Sequence, residues 1–144
     1  MRPLSSDLHE FIHLLNTNLV KYVVVGAWAL AFHGRPRYTG DLDIFVGRDD
    51  ENASNLMAVI EAFGFAHAGI KREDFLQVDH VIQLGREPNR IDILTGISGV
   101  TFDEAWDQRE QGTWRELGRR VVRTTAAAVE VHSARAHYSL LFIV

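Results

Sequence analysis

Asp41 and Asp43 stand two residues apart in Gly40-Asp41-Leu42-Asp43-Ile44-Phe45-Val46, a stretch otherwise dominated by core-type residues. A strand has a side-chain period of two, so both carboxylates fall on one face of an element whose other residues favour burial. Like charges held that close repel unless protons, basic side chains or a cation compensate them, and paired carboxylates suit a hard divalent ion. Just upstream, residues 21–25 read as a short buried strand, Gly26 as a turn, and residues 27–33 as a short helix stopped by Gly34. A strand-glycine-helix junction presents free backbone N–H groups, and the missing Cβ of Gly26 lets a phosphate approach the backbone. Arg35 and Arg37, on either side of Pro36, add planar guanidinium groups matched to phosphate oxygens.

The segments Val25-Gly26-Ala27-Trp28-Ala29-Leu30 and Gly34-Arg35-Pro36-Arg37-Tyr38-Thr39-Gly40-Asp41-Leu42-Asp43 resemble two parts of one family core. The first is similar to the strand-and-glycine turn of the nucleotidyltransferase superfamily with the DNA polymerase β-type fold. The second is similar to the Gly-x-Pro-Arg-x-Thr-x-Asp-x-Asp pattern of its minimal bacterial members. Those members include antibiotic-type transferases and the transferases of abortive-infection and toxin–antitoxin loci. The resemblance implies a third acid on a later strand, and Asp92 in Arg90-Ile91-Asp92-Ile93-Leu94 is the matching position. It further implies that Asp41, Asp43 and Asp92 hold Mg²⁺, two ions in the two-metal arrangement, with Gly26, Ala27, Arg37 and Thr39 at the nucleotide. The implied reaction moves a nucleoside monophosphate from an NTP, most often ATP, to an acceptor with release of pyrophosphate, Asp92 accepting the acceptor's proton. A drug-like small molecule, an RNA end and a protein side chain all stand open as acceptor, since acceptor pockets share no motif.

Where such relatives carry Gly or Ser in the second turn position this chain has Ala27, which offers only its backbone N–H. The residues from Ala134 to Val144 contain no match to the helical segment with a nucleotide-facing Lys or Arg common in them. These departures support two alternatives: a catalytically inactive binding or regulatory module with the same fold, and one subunit of a two-component, toxin–antitoxin-like system. The single residues also have plainer explanations. Asp41 can cap a turn with Gly40, Asp92 can pair with Arg90, Arg37 and Thr39 can order their loop, and Asp79 is a rival third acid. The histidines show no metal-ligand spacing.

The elements that must position these residues follow from periodicity. Leu8, Phe11, Ile12 and Leu15 recur at helical spacing after Ser5 and Ser6, residues 51–63 repeat the pattern, and Thr101-Phe102-Asp103-Glu104 has capping-box form. Residues 78–84, 90–95 and 119–124 read as strands. The result is an α/β (α+β) domain, a mixed sheet flanked by helices, spanning residues 1–144 as one unit. A chain of 144 residues with 47% hydrophobic residues can build one core, and a net charge of −4 argues against nonspecific nucleic-acid binding. No signal-type or membrane-length apolar run occurs and cysteine is absent, so a cytoplasmic protein without membrane contact is expected. Tyr138-Ser139-Leu140-Leu141-Phe142-Ile143-Val144 carries no charge and is read as the contact of a homodimer, the alternative being a strand or cover of its own domain.

Overall fold

The computed structural model describes residues 6–26, 42–85, 90–97, 99–114, 120–124 and 139–143. Ala27, Arg37, Thr39 and Asp41 lie outside these residues, as does the short helix expected at 27–33. In chain order the described elements are α1 (Ser6–Thr17), β1 (Tyr22–Val25), β2 (Leu42–Val46), α2 (Asp50–Ala62), a 3₁₀ turn (Arg72–Phe75), β3 (His80–Leu84), β4 (Ile91–Leu94), α3 (Phe102–Asp107), β5 (Glu110–Trp114), β6 (Arg120–Thr124) and β7 (Ser139–Ile143). The strands form one seven-stranded sheet in the order β5-β6-β1-β2-β4-β3-β7. It is mixed: β2 runs parallel to β4, while β1 and β2 pair antiparallel, as do β3 and β4. The fold is therefore mixed α/β, with helices against a mixed sheet.

Every residue of β1, β2 and β4 is buried, which is why these strands read as near-continuous apolar runs rather than as alternating ones. Leu8, Phe11, Ile12 and Leu15 of α1 are all at most 1% exposed and pack with Leu56, Val59 and Ile60 of α2 on one sheet face. The other face carries a smaller cluster, with Val23, Val25, Phe45, Val81 and Leu94 meeting Ala105 of α3. α2 begins where Asp49 accepts a hydrogen bond from Asn52 N (2.8 Å) and ends at Phe63, before Gly64 in the left-handed region (φ +100°). Asn52 is buried and fully engaged: its Oδ1 accepts from Lys21 N (2.7 Å), and its Nδ2 donates to Lys21 O (3.0 Å) and Gly47 O (2.8 Å). One side chain thus ties the start of α2 to the start of β1 and the end of β2.

Two expectations require correction. β3 starts at His80 rather than at 78, because Asp79 adopts φ 56° and Val78 is exposed, so Asp79 does not lie on that strand. β5 has no counterpart in the sequence reading: Glu-Gln-Gly-Thr-Trp lacks an apolar alternation and contains a glycine, and its strand state comes from pairing with β6 from Glu110↔Thr124 to Trp114↔Arg120. Ser139–Ile143 of the C-terminal apolar segment form β7, paired in parallel with β3 at the edge of the sheet.

Candidate functional site

Alternation sorts the central strands by face. Leu42, Ile44 and Val46 join the helix-covered core, leaving Asp43 and Phe45 on the face shared with α3. Register then lines residues up across strands. Asp43 is the Cα partner of Asp92 and of Val25, and Asp92 is the partner of Gln83. Two residues along, Phe45 partners Leu94 and Val23, and Leu94 partners Val81. One face therefore holds a polar row, Asp43-Asp92-Gln83, directly beside an apolar row, Phe45-Leu94-Val81.

The acids are as deeply placed as the apolar residues, Asp43 being 3% and Asp92 0% exposed. Neighbouring strands lie about 4.8 Å apart. Two carboxylates about 5 Å apart at an effective dielectric of about 20 repel by roughly 3 kcal/mol, so the pair demands positive charge. At Asp92 that charge is the guanidinium of Arg90, with Nε donating to Oδ1 (3.0 Å) and Nη2 to Oδ2 (3.3 Å). The fork places Arg90 two residues before Asp92 on the same strand line, so the same period of two that aligns acids also aligns the arginine with its partner.

Gly26 follows β1 and carries φ +70°, the left-handed value that a turn at this glycine allows. A Cβ built on it would collide with Asp43 Oδ2 and come within 3.2 Å of the carboxyl carbon. The glycine anticipated as a phosphate turn makes room for the buried carboxylate.

Of the predicted site residues, the fold brings together Gly26, Asp43 and Asp92. Among the described residues no group of three or more His, Cys, Asp or Glu is arranged to hold a metal ion, and the third carboxylate of the expected set, Asp41, is not among them. Asp43 and Asp92 fit a hard cation in kind, being two buried oxygen donors on adjacent parallel strands. Sequence reasoning missed Gln83, 8% exposed at the end of the polar row, because only register brings it beside Asp92. It treated Arg90 only as an ordinary ion-pair partner. The other buried polar residues have structural partners: Asn52 as above, and Thr95, whose hydroxyl accepts from His80 N (2.9 Å).

A cavity of about 630 Å³ opens at the opposite end of the same strands, lined by Lys21, Phe45, Arg48, Asp79, Thr95, Phe102 and Trp106 among others, and neither Asp43 nor Asp92 lines it. In its aromatic wall Phe45 meets Phe102 edge-on at 5.3 Å and Phe102 stacks on Trp106 at 5.8 Å. Lys21 and Arg109 both approach the Trp106 ring, at 5.7 and 3.9 Å from its centroid. Compared with known proteins, the chain matches no family model, no curated protein and no solved structure. Among the described residues no helix is long and apolar enough to cross a membrane.

Proposed function

We propose that the chain is a Mg²⁺-dependent nucleotidyltransferase with a polymerase β-like core, moving a nucleoside monophosphate from an NTP to an acceptor. The observation that carries this reading is the register pair Asp43↔Asp92, two buried acids side by side where the sequence pattern of the family asks for metal ligands. Asp43 and Asp92, with Asp41 two residues before Asp43 in the sequence, would hold the cation. When bound, Mg²⁺ would neutralise charge on the triphosphate and polarise the phosphorus under attack. Asp92 would also accept the acceptor's proton, and the backbone at Gly26 and Ala27, with Arg37 and Thr39, would seat the triphosphate. ATP is the nucleotide favoured by the family resemblance.

A second reading draws on Arg90. A carboxylate already held by a guanidinium fork is what a purely structural ion pair looks like, and a binding module that has lost the reaction would keep it. Pyrophosphate release from ATP separates the two, and calorimetry with Mg²⁺ and a nonhydrolysable ATP analogue tests the acids themselves. Asp43→Asn should weaken Mg²⁺-dependent nucleotide binding by more than about a hundredfold, beyond the range for outer-shell partners of a metal site. Equal affinity in the variant and the parent chain would remove Asp43 from the site and leave the module reading.

A further inference from the structure

We infer that Arg90 is a latch on the acid pair: its guanidinium holds Asp92 against a bare divalent cation and releases it to a cation that arrives with a polyphosphate. The inference rests on the metal-dependent reading above. Both oxygens of Asp92 are engaged by the fork, and the carboxylate is wholly buried while the Arg90 side chain keeps 22% of its surface exposed. A cation approaching Asp92 alone meets a fixed positive charge and displaces two charge-assisted hydrogen bonds with nothing to replace them. A cation carrying a triphosphate brings anionic oxygens, and a planar guanidinium can fork onto those instead.

The backbone dictates how the latch moves. Arg90 O accepts the Leu42 N–H at 2.9 Å, immediately before the Asp43↔Asp92 pair, so β4 is tied to β2 at the latch residue itself. Opening is a rotation of the partly exposed Arg90 side chain, with the two strands and their acids held in place. Ion and nucleotide therefore enter together, and Asp92 stays neutralised between turnovers rather than exposing an uncompensated buried charge.

The test uses Mn²⁺ as the ion and reads free Mn²⁺ by electron paramagnetic resonance on the whole chain, alone and with a nonhydrolysable ATP analogue. Arg90→Gln should bind bare Mn²⁺ about tenfold more tightly than the parent chain, which corresponds to about 1.4 kcal/mol, and should bind the Mn²⁺–nucleotide complex no more tightly. Equal or weaker bare-ion binding in Arg90→Gln overturns the latch, and the acid-pair reading survives that result if Asp43→Asn still abolishes binding. No Mn²⁺ binding by either protein, with or without nucleotide, overturns both. If Arg90→Gln does not fold, nitrogen-15 arginine spectra of the parent chain decide. The Arg90 Nε–H resonance should move once Mg²⁺ and the analogue are added, as its acceptor changes from carboxylate to phosphate, and an unchanged resonance at saturation overturns the latch.

Discussion

Two rows of side chains lie next to each other on the same sheet face and are equally dry, yet one is built from Phe45, Leu94 and Val81 and the other from Asp43, Asp92 and Gln83. The apolar row explains itself by burial. A fully buried large apolar side chain contributes on the order of 1.5–3 kcal/mol, and Phe45 adds an edge-on contact with Phe102. The polar row gains nothing from being dry, because burial penalises the charged form of each acid and their proximity adds repulsion. The difference teaches that burial alone accounts for the first row, whereas the second depends on charge compensation such as the Arg90 fork on Asp92. Asn52 makes the point from the other side: it is a buried polar residue whose hydrogen bonds all go to backbone groups that join elements, so the fold alone accounts for it.

If that division is real, substitutions in the two rows should have opposite signatures. The largest stability effect is expected for Phe45→Ala, which should cost about 3–5 kcal/mol in urea unfolding. Its Mn²⁺ affinity should stay within about twofold, since the packing change does not alter the charges of the polar row. A loss of ion binding as large as the loss of stability would show that the rows are one unit.

Gly26→Ala should fall between the rows. The positive φ costs an alanine about 1–2 kcal/mol, and its Cβ forces the Asp43 carboxylate aside, so both stability and nucleotide affinity should drop. Comparing it with Asp43→Asn sharpens the role of the glycine. If Gly26→Ala in the Asp43→Asn background weakens nucleotide binding no further, the glycine serves the carboxylate; additional loss points to direct backbone contact with phosphate.

The smallest effect is expected for Gln83→Leu, a change of less than about 1 kcal/mol in stability because an apolar group of similar size replaces a buried amide at the end of the row. Ion affinity measured alongside should fall only a few-fold, in keeping with an outer partner rather than a ligand. A Gln83 variant that loses binding as completely as Asp43→Asn would move the site toward β3.

Much of the helix-covered side was legible in advance. The stripe of α1, the α2 face with Leu56 and Ile60, and the Thr101 cap, whose hydroxyl accepts from Glu104 N at 3.1 Å, all arise from interactions within a few residues of chain. Asp43 and Asp92 were also legible as acids within apolar strands, because a charge there contradicts its neighbours. β5 was not, since its strand state depends on β6 rather than on its own composition. Asp79 misled for a related reason: its position before β3 suggested a strand, while its left-handed backbone turns it out of the ladder.

By itself the sequence determined the kinds of group available: two apolar strands each interrupted by an aspartate, a glycine before the first of them, and an arginine two residues before the second acid. Those are matters of local period and composition. Only the tertiary structure decided that Asp43 and Asp92 are partners, that Gln83 completes their row, that Gly26 packs on one carboxylate, and that the large cavity lies at the other end of the strands. Register decides these matters, and it is set by how whole apolar faces fit together; a slip of one residue would turn every side chain of a strand to the opposite face.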